Sequence, residues 1–156
     1  MAELKAPPQQ FIFQEQKPLL AHTALSIVGT AVLFVPALLL CGLVAQFLRW
    51  WHLEALGDKS LGPLAVYLED ITMHGLQYWF ATYAALAIPH TFMDRANTLI
   101  VCSVIGTVLA ILSVAYVITG FFIPSGLNPT VLGGFVTAAE IIGVFAALIY
   151  FHFQHR

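Results

Sequence analysis

Charge is what this sequence has least of: Asp, Glu, Lys and Arg together make up 9% of its 156 residues. A soluble domain carries about a quarter, so the chain has too few ionised groups to coat a surface facing water. Basic residues are scarcer still, six Lys and Arg against eight Asp and Glu. Without a clustered basic surface, nucleic acid is excluded as a partner. Cysteine is nearly absent. Cys41 and Cys102 fall toward opposite ends of the apolar runs that hold them, about 20 Å or more apart in depth at about 1.5 Å per helical residue, which excludes a bridge within one chain. The sequence also lacks a Gly-rich phosphate loop, a G-x-S-x-G elbow, an H-E-x-x-H pair and a C-x-x-C motif. With them go the catalytic classes those patterns serve. The chain reads as non-enzymatic, unless it serves as one subunit of a membrane oxidoreductase.

What the sequence has in abundance is apolar side chain: 60% of residues, with a mean hydropathy of +0.87. This material is gathered into four runs, 19–48, 61–89, 98–123 and 129–153. Each exceeds the roughly 20 residues a helix needs to cross about 30 Å of hydrocarbon. None alternates in the manner of a strand, and backbone amides in lipid must be satisfied within the segment, so the runs predict helices. The expected fold is an all-α integral membrane protein, a four-helix bundle in up-down-up-down order, because short connections make consecutive helices antiparallel neighbours. Residues 1–18 form a polar or interfacial leader, and the first apolar run is too long and too late for a cleaved signal peptide. Arg49 to Ser60 is expected as a polar loop, His90 to Asn97 as a tight turn, and Pro124 to Asn128 as a turn before Pro129. Pro36 is expected to kink the first helix or delete one of its hydrogen bonds. Lys5, Lys17, Arg95 and Arg156 lie on the side of the termini, against Arg49 and Lys59 opposite. The positive-inside rule then places both termini in the cytoplasm, in a bacterial inner membrane.

Ionisable groups at membrane depth are costly and call for partners. Glu140 stands alone near the middle of the fourth run. On the second, Asp70, His74 and Gln77 fall at i, i+4 and i+7, on one helical face that Ala81, Ala84 and Ala85 continue. Depth counting puts His74 and Glu140 near the same level, so the two are expected to meet inside the bundle, with Asp70 and Gln77 as further partners. Such a cluster acts as a polar clamp, as part of a proton, ion or metal path, or as a contact facing another protein subunit. His22, His90 and His152 map to the terminal side, where pairs of histidines on different helices are able to hold haem b. Small residues form two packing faces, Ser103, Gly106, Thr107, Ala110 and Ser113 on the third helix and Gly134 with Ala138 on the fourth.

Over residues 45–94 the order of features resembles the small membrane subunit of tripartite ATP-independent periplasmic (TRAP) transporters, the DctQ-like family. Gln46 and Arg49 close the first helix, Glu69 and Asp70 open the second, and His90-Thr91-Phe92-Met93-Asp94 follows it. The sequence departs from that pattern in lacking a Trp before the acidic pair, an Arg before the His, and a long amphipathic segment after Asp94. The resemblance implies a noncatalytic subunit, without a cofactor, that supports a larger transport subunit and helps dock a periplasmic binding protein. Two other classes stay open: a membrane anchor of a respiratory or photosynthetic complex holding haem b or quinone, and a small proton- or cation-coupled carrier using Asp70, His74 and Glu140.

Overall fold

The computed structural model describes residues 19–56, 62–122 and 131–155. The leader, the tip of the first connection and the Pro124 to Asn128 turn lie outside the described residues. Four helices account for nearly all the rest: α1 Leu20–Leu56, α2 Pro63–Phe92, α3 Thr98–Phe122 and α4 Val131–Gln154. No strand occurs among the described residues.

Two boundaries differ from the sequence reading. α1 does not end at Leu48 but runs on to Leu56, making a helix of 37 residues and about 55 Å. Much of the expected polar loop is therefore helix. Leu53, Glu54, Ala55 and Leu56 are all strong helix formers, and an ion pair from Arg49 and a hydrogen bond from His52 to α2 hold this extension in place. α2 likewise runs through Pro89 and His90 to Phe92, which leaves only residues 93–97 as the turn. α1 continues without a break through Pro36.

Three helices, α1, α3 and α4, are long and apolar enough to cross a bilayer. α2, which the sequence reading also expected to span, is not among them by length and composition. Glu69, Asp70, His74 and Gln77 fill its first half. Its position in the bundle is the reason: α2 packs against both α4 and α1, so its polar groups meet protein on two sides. The remaining neighbours are α1 with α3 and α3 with α4. Consecutive α2 and α3 are not packed together, contrary to the simple ring of sequence neighbours. They sit diagonally, and the 93–97 turn crosses between them.

The pairings fix the relative directions. Gly29 meets Pro89 and Gly42 meets Gln77, so α1 and α2 are antiparallel. Gly75 meets Ala139, and Tyr83 reaches Gln154, so α2 and α4 run parallel. Thr98 faces His152, which makes α3 and α4 antiparallel. The close approach lies between α2 and α4, where a Cβ built on Gly143 would overlap the Gly75 carbonyl. The seam on α4 is thus Ala139, Gly143 and Ala147, a small residue every fourth position. The expected pair, Gly134 and Ala138, is exposed.

Apolar packing concentrates at the end of the bundle where α1 and α3 begin. Leu86, Val101, Cys102, Ile105, Leu148 and Phe151 form one buried cluster there. A short set of bonds closes the same end. The Leu19 amide donates to the Arg95 carbonyl at 3.0 Å, and the Asn97 amide donates to Thr23 Oγ1 at 3.0 Å. Asn97 also caps α3, its Oδ1 accepting from the Ile100 amide at 3.2 Å. Leu25, Val28, Val32, Val35, Leu39 and many other large apolar residues remain exposed. In water such a surface would aggregate; against lipid tails it costs nothing, and packing rather than hydrophobic burial holds the helices together.

Candidate functional site

The polar residues gather at the opposite end, around the first half of α2. Taking Asp70 as the reference direction, His74 is turned about 40° one way and Gln77 about 20° the other at 100° per residue. That spread lets neighbouring positions address different helices. His74 turns to α4, and its Nδ1 lies 3.0 Å from Glu140 Oε1. Asp70 and Gln77 turn instead to α1. The Asp70 carboxylate lies 2.9 Å from an Arg49 guanidinium nitrogen, and Gln77 Nε2 donates to the Leu38 carbonyl at 3.4 Å. The single cluster expected from the sequence is therefore two arrangements that share a helix.

The contact between His74 and Glu140 depends on the glycine crossing beside it. Gly75 follows His74 and Gly143 lies one turn beyond Glu140, so the backbones approach closely enough for a short side-chain pair to close. His74 keeps 44% of its side chain accessible and Glu140 keeps 21%, so neither is sealed in the core. Each opens on a different space. Glu140 lines a cavity of about 340 Å³ between the helices, together with Tyr78, Ser113 and Thr137. His74 lines a groove of about 580 Å³ between α1 and α2.

A second polar contact lies beside Arg49 and Asp70. His52 Nδ1 is 3.2 Å from Glu69 Oε1. Sequence reasoning placed His52 in a loop and gave it no partner. Arg49 and His52 lie three apart on one face of α1 once that segment is helical, but nothing in the spacing of Glu69 and Asp70 pointed to His52. Gln46, another residue of the TRAP-like pattern, is exposed but lines the α1–α2 groove.

The histidines of the terminal side go to separate neighbours. His22 Nδ1 lies 3.8 Å from the Asp94 carboxylate, and His152 Nδ1 lies 3.3 Å from Thr98 Oγ1. His90 meets His155 edge-on, with ring centroids 4.7 Å apart, and packs against Phe151. The three candidate haem ligands are thus not brought to one another by these contacts. Among the described residues, no group of three His, Cys, Asp or Glu side chains is arranged to hold a metal ion. Trp79, Tyr83 and Tyr150 form an aromatic patch between α2 and α4, with Trp79 and Tyr83 stacked at 5.6 Å. The Tyr83 hydroxyl donates to Gln154 Oε1 at 2.7 Å.

The chain matches no protein-family model, no curated protein and no solved structure.

Proposed function

We propose that the chain is a noncatalytic subunit of a larger membrane complex, most specifically the small membrane subunit of a TRAP-type secondary transporter. In this reading it crosses a bacterial inner membrane four times, up-down-up-down, with both termini cytoplasmic and α2 crossing despite its polar first half. The observation that supports it is how the residues of the TRAP-like pattern are used. Arg49 and Asp70 join the end of α1 to the start of α2, Glu69 joins His52 beside them, and Asp94 lies against His22 at the other end. These are the contacts of a scaffold: they fix helix ends and leave one side of α1 uncovered. Along that side Leu25, Val28, Val32, Val35 and Leu39 are exposed at alternating steps of three and four, the spacing that seats a second helix.

Photo-crosslinking in native membranes tests the proposal. Benzoylphenylalanine placed at Val28, Val32 or Val35 should join the chain to one larger membrane polypeptide, and that polypeptide should co-purify in mild detergent. Recovery of the chain alone, or crosslinks only to itself or to lipid, would remove the reading.

A second reading, a small proton-coupled carrier, draws on His74 and Glu140 standing between two separate cavities. Proton-coupled flux in proteoliposomes should then collapse in Glu140→Gln. Unchanged flux counts against it.

A further inference from the structure

The bundle is filled at one end and hollow toward the other. Its apolar cluster lies where α1 and α3 begin, whereas a cavity of about 340 Å³ lies at the level of Glu140. All four helices line it, among them Phe34 of α1, Tyr78 of α2, Ser113 of α3 and Thr137, Glu140 and Phe145 of α4. The diagonal placement of α2 and α3 explains the space, since these two helices share a cavity wall but do not pack together. Its volume falls at the lower end of the range typical of small-molecule sites, about 300–1,000 Å³.

Charge selects what suits this cavity. Among the described residues that line it, Glu140 is the only Asp, Glu, Lys, Arg or His. Its partner His74 does not line it and opens instead on the α1–α2 groove, so the carboxylate is the member of the pair that reaches the cavity. Coulomb attraction falls with distance, and the nearer group sets the sign felt there, whether or not the ring is protonated. A carboxylate offers about four acceptor positions on its two oxygens, and the His74 contact at 3.0 Å takes one of them, on Oε1. Phe34, Tyr78 and Phe145 add aromatic rings, whose π faces also attract cations. An anion would meet Glu140 with no cation among the described lining residues to offset it. A neutral apolar molecule would bring nothing to a carboxylate that is costly to hold at membrane depth. The remaining walls are aliphatic and supply no oxygens to replace the hydration shell of an inorganic cation. An ammonium carried on an aromatic body satisfies both the carboxylate and the walls.

We propose that this cavity binds a small arylalkylammonium, its ammonium donating to Glu140 and its ring held among Phe34, Tyr78 and Phe145. The site uses the carboxylate that the carrier reading also uses, but it needs neither transport nor a partner subunit. Binding is an equilibrium property read without a gradient, so its failure and the failure of either proposed function show in different measurements.

Calorimetric titration of the full chain in phosphatidylcholine nanodiscs, with empty discs as the blank, tests the site. The probes are phenethylammonium chloride, 2-phenylethanol as a neutral molecule of similar shape, and 3-phenylpropionate as an anion. The cation should bind at least tenfold more tightly than either of the others. Glu140→Gln should weaken cation binding tenfold or more and so remove the preference. Ser113→Leu, which puts a branched side chain into the cavity and keeps the carboxylate, should weaken it comparably, while Leu39→Phe in the α1–α2 groove should leave it unchanged. In the wild-type chain the carboxyl-carbon resonance of ¹³C-labelled Glu140 should move on adding phenethylammonium, a readout that needs no variant to fold. The proposal is overturned if the cation does not bind or binds no better than the alcohol, or if the Glu140 resonance stays in place or moves equally with sodium chloride. It is overturned equally if affinity survives Glu140→Gln or Ser113→Leu, or falls as far in Leu39→Phe.

Discussion

Gly143 of α4 rests directly against the Gly75 carbonyl of α2, with no room for a Cβ between them. This crossing sets the spacing of the two parallel helices, and the His74–Glu140 contact at 3.0 Å lies beside it. Polar pairing and backbone approach are one feature here. In lipid, where burial of apolar area gives little, close approach is the main source of packing energy.

Gly143→Val should therefore destabilise the bundle by about 1–3 kcal/mol, the usual range for overpacking. The obstacle is a carbonyl rather than a movable side chain, so the upper part of that range is expected. Gly134 has nothing near its missing Cβ, and Gly134→Ala should be neutral or mildly stabilising. Thermal unfolding in detergent, followed by circular dichroism, distinguishes the two. Equal stability of both variants would contradict the crossing.

Arg49 and Asp70 should behave as a coupled pair. Their side chains are 40% and 30% accessible, so solvent and headgroups screen part of the attraction. A double-mutant cycle with Arg49→Ala and Asp70→Asn should give a coupling of about 0.5–1.5 kcal/mol. Arg49→Ala alone should cost more than the double variant, because it leaves Asp70 unpaired against α1. Titration with sodium dodecyl sulfate reads these differences. Additive effects would mean that the two residues do not interact.

The His74–Glu140 contact should contribute modestly. Hydrogen bonds between membrane helices average about 0.6 kcal/mol and reach about 1.7. Glu140→Leu should fall within that range, and Glu140→Gln should cost less, since the amide oxygen still accepts from Nδ1–H. A loss above about 3 kcal/mol for Glu140→Leu would show that the residue holds more than this one contact. The same titration in detergent measures it.

Much of the helical content was legible because each run of apolar residues was longer than a bilayer is thick. The shared depth of His74 and Glu140 followed from counting residues inward from the loops. The ends of α1 and α2 were not legible. Trp50, Trp51 and His52 read as interfacial loop by composition, yet a helix continues wherever good formers are anchored, and the anchors of α1 lie on α2. The partner of Asp70 was hidden for the same reason, since Arg49 is able to reach it only from a helix. The crossing at Gly143 left a readable trace, Ala139, Gly143 and Ala147 at intervals of four. The competing pair Gly134 and Ala138 had the same spacing, and only burial separates them. Nothing in the spacing of short loops revealed that α2 and α3 would sit diagonally. That depends on which faces interlock, and the α2–α4 seam decides it.

The central claim is that α2 crosses the membrane, with its polar groups satisfied by α1 and α4. Glu54, Asp94 and Gln154 are all exposed and lie beyond or at the ends of α1, α2 and α4. In a chain without Cys41 and Cys102, single cysteines introduced as Glu54→Cys, Asp94→Cys and Gln154→Cys can be challenged in intact cells with a membrane-impermeant thiol reagent. The expected result is labelling at position 54 from outside, and labelling at 94 and 154 only after permeabilisation. Labelling of 54 and 94 from the same side would show that α2 does not cross.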